Sequence, residues 1–392
     1  MKNTKIQLSQ ALKNLVLVFI IIGLFCVLGF YYTYGKDPFL RKTYPLEAWW
    51  VKQVINCSKR NDFIEKLLHH AVDQQGSLAN QIIYLKKDGQ SLSCVSGSQV
   101  NMDTRFRYAS LTKVITAALF LENEKLNKVY RQDYLKNYVN LIHPKDRNLE
   151  KITLFNLLTH TSGFDRTRSN DPLFNFNQKP WCPYQLEKLN YLKLDHIPNT
   201  QYSYDNRNYC LLAVALEKAT GQSYKELVEN YLEKSGFRNI KLIDGPFLSD
   251  EVQYDFRHEM QYFPSYIDEF DFHALQAVAG LSGSAQDYAK LIHYLLYSRN
   301  LSLTEMVFEK DCHSKYHQCF SIALKELTVK NGESIYYQTG ALPAARSLLV
   351  VRENGDIIVW VGSGVPASSK LSTDDFVHYI HRNLPKNEFN LN

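Results

Sequence analysis

The chain has 392 residues, of which 45% are hydrophobic and 22% are charged, the usual balance for a folded globular protein. Its formal net charge is +5, and it has no basic run or arginine-rich face that would attract nucleic acid. We therefore expect no nucleic-acid partner. The length allows about two or three domains, or one large catalytic unit with an insertion.

The N-terminal segment has the composition of a membrane anchor. Residues 15–34 are uncharged and mostly aliphatic, and about 20 such residues cross a bilayer as a helix. Lys2, Lys5 and Lys13 precede this stretch, as is typical of a cytoplasmic tail. Because no small-x-small cleavage site follows, the sequence favours an uncleaved anchor over a cleaved signal peptide. We expect a tail over 1–14, an inner-membrane anchor over 15–34, and the remainder on the exported side, periplasmic or extracellular.

Cysteine usage supports export. One of the seven cysteines, Cys26, lies in the predicted anchor, and the other six form an even set that can pair. Nearness in sequence predicts, in order of preference, the disulfides Cys312–Cys319, Cys57–Cys94 and Cys182–Cys210. The alternative is that several of these are free buried thiols. None has metal-ligand spacing with a pair of histidines, so the sequence predicts no metal site.

The elements beyond the anchor follow from hydrophobic periodicity and turn residues. Residues 35–58 are predicted as a linker, and apolar residues at helical spacing predict a helix over 61–73. Two β-prone runs on either side of Asp88-Gly89 predict a hairpin, and an apolar helix follows over 111–121.

The later elements fall into a helical block and a strand-rich end. Helices are predicted over 211–220, ending at Gly221, and over 285–297, capped by Ser282 or Ser284. Strands are predicted over 319–327, 335–339, 347–352 and 356–361, with turns at 331–332 and 354–355, before a helix over 373–384.

Strands at both ends of the exported region predict an α+β fold. The economical arrangement is one antiparallel sheet flanked by N- and C-terminal helices, with a mainly helical lobe inserted. We predict a domain over 59–385, with an α/β lobe from 59–124 and 300–385 and a helical lobe over 125–299. A cleft is expected where the two lobes meet.

Four short segments carry the chemical signal: Ser110-Leu111-Thr112-Lys113, Leu157 to Gly163, Tyr204-Asp205-Asn206 and Gln338-Thr339-Gly340. Ser110 and Lys113 lie one helical turn apart, so a hydroxyl and an amine point the same way. A serine nucleophile needs a base within reach, and burial lowers the pKa of a lysine toward that role. We therefore predict that Ser110 is a nucleophile activated by Lys113.

The polar segment before the 211–220 helix offers groups for proton transfer and binding. A phenol beside an ammonium is pushed toward phenolate, so Tyr204 is predicted to act as a base and proton shuttle. Asn206 can donate to a substrate carbonyl, and Asp205 is an alternative partner that would tune Lys113. His160 lies in a helix-ending turn, and we predict a structural role for it.

The last segment ends a predicted strand. Gln338, Thr339 and Gly340 are expected to bind substrate, because glycine lets a ligand approach the backbone closely. The backbone N–H of Ala341 is then predicted to join that of Ser110 as a second oxyanion donor.

This set of segments resembles the serine β-lactamase and penicillin-binding-protein superfamily, in the branch with class C β-lactamases, D-alanyl-D-alanine carboxypeptidases and related esterases. The hallmarks of that branch are Ser-x-x-Lys, Tyr-x-Asn and Lys/His-Thr-Gly. The resemblance covers roughly residues 60–385. It implies an acyl-enzyme on Ser110, base and acid duty shared by Lys113 and Tyr204, no metal or organic cofactor, and a terminal α/β lobe with an inserted helical lobe.

Two positions depart from the branch. Gln338 stands where the branch has Lys or His, and Ala344 stands near a frequent Gly. A cation at the first position contributes about 1–3 kcal/mol to holding a substrate carboxylate, so its loss argues against efficient β-lactam hydrolysis. We predict a membrane-anchored, exported serine hydrolase acting on a D-alanyl peptide or ester of the cell envelope. The alternative is a β-lactamase, or a penicillin-binding module with little turnover.

Overall fold

The computed structural model describes residues 2–34, 36–175, 178–259, 269–305, 319–328, 333–368 and 370–385. The chain forms two compact units, Met1–Trp50 and Val51–Asn392. The first holds helix α1, Lys2–Tyr34, and most of helix α2, Lys36–Gln53. Within α1, the 18 residues of Leu12–Gly29 have a mean hydropathy of 2.5, so by length and composition this helix could cross a membrane.

The predicted linker is more ordered than its composition indicated. Most of it is helix α2: Pro38 falls in the first turn, where a helix needs no backbone donors, whereas Pro45 lies inside the helix. Asn56–Cys57 at its end forms strand β1 of the main sheet.

An antiparallel sheet is the frame of the second unit. Strands β2 to β11 are Ser77–Leu85, Ser91–Ser96, Phe106–Arg107, Lys241–Leu242, Leu281–Gly283, Cys319–Phe320, Lys325–Leu327, Ile335–Leu342, Ala345–Arg352 and Ile357–Gly364. The eight described strands of the main sheet run in the order β1-β3-β2-β11-β10-β9-β8-β7, so both ends of this unit contribute. Strands β4, β6 and β5 form a separate small sheet.

Helices cover both faces of the main sheet. Helices α3 to α11 are Asp62–Gln74, Thr112–Lys125, Leu154–Leu158, Trp181–Tyr184, Asn206–Thr220, Tyr224–Lys234, Phe272–Ala279, Ala285–His293 and Thr373–Asn383. Successive β2 side chains alternate between two cores: Ile82 packs with the terminal helices α3 and α11, and Ile83 packs with the inserted lobe. The predicted α+β fold with an antiparallel sheet, terminal helices and a mainly helical insertion is confirmed.

Two helices lie differently from the predicted lobe boundaries. Helix α10, predicted as part of the helical lobe, packs against β2 and β11 of the sheet. Helix α4, assigned to the α/β lobe, packs against α7 and α9, and all of its residues from Thr112 to Asn123 are buried. Amphipathic spacing identifies the buried face of α10 but not the element that covers it, and α4 is buried on all sides, so its sequence shows no single face to assign.

Helix α7 begins five residues earlier than predicted. Asp205 caps it by accepting from the N–H of Arg207, and Gly221 ends it with φ +72°. Its first turn is polar yet buried, because Asn206, Arg207 and Asn208 find partners inside the protein. Because these buried residues are polar and hydrogen-bonded, the sequence has no hydrophobic pattern here that would predict the start of the helix.

Two of the three predicted disulfides are confirmed. Cys57–Cys94 joins β1 to β3, and Cys182–Cys210 joins α6 to α7. The third pair includes Cys312, which lies outside the described residues, as does the turn predicted at 331–332.

Candidate active site

Ser110 lies where the chain enters the central helix α4. It belongs to the 3-10 turn Ala109–Leu111, which leads directly into that helix. Ala109 has φ +48°, a conformation that few residues other than glycine adopt. Strand β9 and the start of β10 pack against this turn. The serine is therefore held on a tightly constrained corner between the sheet and the helical lobe.

Lys113 is placed to act on this serine. Its Nζ lies 3.0 Å from Ser110 Oγ and donates a hydrogen bond to the Val278 carbonyl at 3.0 Å. The lysine is only 1% exposed. Burial, and next the positive charge of Arg166, lower the pKa of Lys113 well below its ordinary value. A neutral amine can donate to the carbonyl and still accept a proton from the serine hydroxyl.

The phenol of Tyr204 lies beside Ser110. Burial raises the pKa of Tyr204 to about 12, although hydrogen bonding with Ser110 and the nearby Gln338 amide pull it down. Tyr204 is thus a neutral phenol near pH 7. The expected push toward phenolate comes from the charge of Arg166 rather than from Lys113, whose own pKa is lowered by burial, and the burial of Tyr204 outweighs it.

His160 holds the Tyr204 segment in place. Its ring stacks on the Tyr204 ring at 4.5 Å between centroids, and its Nδ1 accepts from the backbone N–H of Asp205 at 3.2 Å. Burial keeps the pKa of His160 well below its usual range, so the imidazole is neutral. Asp205 pairs with Arg207 at 2.6 Å, so its principal partner is this arginine rather than Lys113. These contacts agree with a structural role for His160.

Asn206 opens helix α7 on the cavity wall. Its Nδ2 donates to Asp171 Oδ2 at 2.7 Å, while its Oδ1 is buried with no hydrogen-bond partner in the described part of the chain. Burial, and next the charge of Asp205, raise the pKa of Asp171. The unpaired amide oxygen is one of the polar groups here that a ligand could satisfy.

Strand β9 forms the opposite wall. Thr339 Oγ1 donates to Asp374 Oδ1 at 2.7 Å. The Gln338 side chain is buried, and neither its Nε2 nor its Oε1 has a well-formed hydrogen bond within the described residues. At Gly340 a Cβ atom would come within 2.5 Å of the Tyr108 carbonyl oxygen, so only glycine lets the strand lie this close to the serine turn.

These walls enclose a cavity of about 750 Å³. The structure brings all eight predicted site residues together: seven line the cavity, and Lys113 lies behind Ser110. The seven are Ser110, Tyr204, Asn206, Gln338, Thr339, Gly340 and Ala341.

Sequence reasoning missed four charged residues that also line this cavity: Arg166, Asp171, Lys325 and Asp374. Arg166 and Asp171 lie in the irregular stretch between α5 and α6, where no periodicity marks a site. Lys325 stands in a predicted strand, and Asp374 in the first turn of α11, where an acidic residue is ordinary helix chemistry.

Comparisons with known proteins agree with this architecture. A family model described as Beta-lactamase matches residues 66–361. The probable fimbrial assembly protein FimD, serogroup H1, of Dichelobacter nodosus is 33% identical over 92% of this chain and 93% of its own length. The D-alanyl-D-alanine-carboxypeptidase/endopeptidase AmpH of Escherichia coli K12 is 32% identical over 34% of this chain and 35% of its own.

The fold is shared with solved structures at lower identity. The D-amino acid amidase from Ochrobactrum anthropi SV3 superposes with a TM-score of 0.64 at 16% identity, over 83% of this chain and 98% of the amidase. The segment matched by the family model contains Ser110, Tyr204 and Gly340, and so spans the cavity described above.

Proposed function

Because this chain belongs to the Beta-lactamase family, whose members are serine hydrolases of amide and ester bonds, we propose that it forms an acyl-enzyme on Ser110. The observation that carries the proposal is the 3.0 Å contact between Lys113 Nζ and Ser110 Oγ, with the amine buried and its pKa lowered. A hydroxyl beside a neutral amine at the edge of a cavity is an activated nucleophile.

The proposed acylation proceeds in three proton transfers. Lys113 takes the Ser110 proton as Oγ attacks the carbonyl carbon, and the carbonyl oxygen becomes an oxyanion held by the backbone N–H groups of Ser110 and Ala341. The neutral phenol of Tyr204 then gives its proton to the leaving nitrogen or oxygen and regains one from Lys113. The bond from the carbonyl carbon to the leaving group breaks in this step. In deacylation water takes the place of the leaving group: Tyr204 passes a proton to Lys113 and takes one from the water as it attacks the acyl carbon, and Lys113 returns a proton to Ser110 Oγ as the bond from that carbon to Oγ breaks and the acid is released.

We propose a D-alanyl peptide or ester of the cell envelope as the first substrate class, a β-lactam as the second and an unrelated small ester as the third. The likeness to AmpH, a D-alanyl-D-alanine carboxypeptidase, and to a D-amino acid amidase supports the first. The apolar helix supports anchoring at the inner membrane, and the two disulfides support a cavity on the exported side. A β-lactamase, or a penicillin-binding module with little turnover, is the alternative.

Intact mass spectrometry of the full chain in detergent tests this function. The protein is incubated separately with a β-lactam, a D-alanyl-D-alanine peptide and a p-nitrophenyl ester. We expect an adduct of the acyl mass that forms and then disappears with the preferred class, and no adduct in Ser110→Ala. An adduct that persists with the β-lactam alone supports the penicillin-binding alternative. Labelling of Ser110→Ala equal to that of the wild type would remove Ser110 as the nucleophile.

A second candidate, a role in fimbrial assembly, is favoured by the likeness to FimD over 92% of this chain, including residues before the serine hydrolase segment. In the organism that carries this chain, a strain lacking it would then lose surface fimbriae by electron microscopy. Complementation with Ser110→Ala separates the two candidates: restored fimbriae would mean that assembly needs the protein and not its acyl transfer.

A further inference from the structure

The cavity contains positive charge that does not come from the Gln338-Thr339-Gly340 segment of strand β9. Two cationic residues line it, Arg166 and Lys325. Lys325 Nζ forms an ion pair with Asp374 Oδ2 at 3.1 Å, and the same carboxylate accepts from Thr339. The charge of Lys325 is therefore balanced inside the protein. A ligand carboxylate would have to compete with Asp374 for it.

Arg166 has no such partner. Within the described residues its guanidinium makes no ion pair, and its Cζ lies 4.8 Å from the centroid of the Tyr204 ring. A guanidinium over an aromatic face is held by cation–π attraction and keeps its N–H donors available at its edge. Arg166 is thus an exposed cation, fixed beside the phenol that adjoins the nucleophile.

A second observation points to a ligand at this wall. The Gln338 amide is 1% exposed, lines the cavity and leaves both polar atoms without a well-formed hydrogen bond among the described residues. Burying an amide without hydrogen-bond partners lowers the stability of the fold unless a bound group supplies those partners. The Gln338 amide lies near the Tyr204 phenol and Arg166 lies over the Tyr204 ring, so the two residues flank one part of the cavity.

We propose that Arg166 binds the carboxylate of an anionic substrate, with the Gln338 amide donating a further hydrogen bond, and so selects acyl donors whose leaving group is anionic. Arg166 lies on the loop after helix α5, so this loop supplies the charge that strand β9 lacks. The neutral residue at 338 therefore does not imply a preference for neutral ligands. The proposal rests on the acyl-transfer function proposed above.

The size of the effect follows from the interaction. A hydrogen-bonded ion pair between a guanidinium and a carboxylate favours the anionic substrate by roughly 10- to 100-fold over its neutral analogue. Arginine stays charged at every accessible pH. Because Arg166 is exposed, the preference is expected to weaken as ionic strength rises.

Two esters that differ in a single charge test the proposal. They are the N-acyl-D-alanyl ester of D-lactic acid and the same ester of D-lactamide, and release of N-acyl-D-alanine by the full chain in detergent is measured by chromatography. The ratio of kcat/KM values cancels changes in the reactivity of Ser110, since both esters share the acyl group. We expect the wild type to prefer the lactate ester and Arg166→Gln to lower that ratio by roughly 10- to 100-fold, mainly through KM.

The matched control is Arg168→Gln, which removes a neighbouring arginine whose side chain is 62% exposed and outside the cavity lining. It should leave the ratio unchanged. An unchanged ratio in Arg166→Gln, or a collapse of the ratio in Lys325→Gln alone, would overturn the assignment to Arg166. So would a wild type that takes neither ester or prefers the lactamide, while a fluorophosphonate still labels its Ser110. Absence of that labelling would instead reject the proposed function itself.

Discussion

Replacing Lys113 by methionine is expected to lower the rate of acylation by about 10²- to 10⁴-fold, the usual contribution of a general base. Methionine has a straight apolar side chain, so it fills the buried position on helix α4 without the amine. The 3.0 Å contact between Lys113 Nζ and Ser110 Oγ is then lost, and no other amine in the described structure contacts that oxygen. Stopped-flow acylation by a chromogenic ester measures the effect.

The Lys113→Met variant should also lose the pH dependence that Lys113 gives to the acylation rate. In the folded protein the pKa of Lys113 is well below the ordinary 10.5, so the wild-type acylation rate should rise with pH through that lowered pKa and then level.

Between the lowered pKa and 10.5, the unfolded chain binds a proton that the folded one does not. Wild-type stability therefore rises with pH over this window. As the pH rises toward 10.5 within this window, we expect the Tm of Lys113→Met to rise less than that of the wild type.

Lys125→Met is the matched control, since Lys125 ends the same helix and donates to the Arg299 carbonyl away from the cavity. It should acylate at the wild-type rate. If Lys113→Met acylates within about tenfold of the wild type, a difference of 1.4 kcal/mol in the barrier, Lys113 is not the base.

The parts of the site that the sequence could predict are those set by local geometry. The helical repeat alone places Ser110 and Lys113 on one face, and the structure shows them in contact. The Asp88-Gly89 turn joins β2 to β3 as expected, with Gly89 at φ +89°. In each case the signal lies within a few residues of the feature, so no knowledge of the tertiary packing is needed.

The parts that could not be predicted depend on packing between distant segments. Arg166 reaches Tyr204 across 38 positions of the chain, and Lys325 meets Asp374 across 49. Nothing in the residues around Arg166 marks it, because an exposed loop arginine is ordinary. The lowered pKa of Lys113 likewise depends on a burial that only the completed fold produces.

Gly340→Ala is expected to disable the site through the backbone. A Cβ atom at this position would lie 2.5 Å from the Tyr108 carbonyl oxygen, 3.1 Å from the Ala109 Cβ, and closer still to Ser347 Oγ. Tyr108 and Ala109 directly precede the nucleophile, so either β9 or the serine turn must move. Overpacking of this kind costs about 1–3 kcal/mol of stability. A shift of about 1 Å in a reacting group lowers the rate by about 10²-fold.

Two variants separate this clash from the ordinary effect of losing a glycine. Gly236→Ala introduces a side chain at φ +84° with open space around it, so it should lower Tm slightly through backbone strain and leave acylation unchanged. Adding Ser347→Gly to Gly340→Ala removes the hydroxyl obstacle but not the Tyr108 carbonyl, and it also removes the hydrogen bond that Ser347 Oγ donates to that carbonyl at 2.7 Å, so acylation should recover only in part. Full recovery in that double variant, or wild-type acylation by Gly340→Ala, would mean that β9 does not pack against the backbone that positions Ser110.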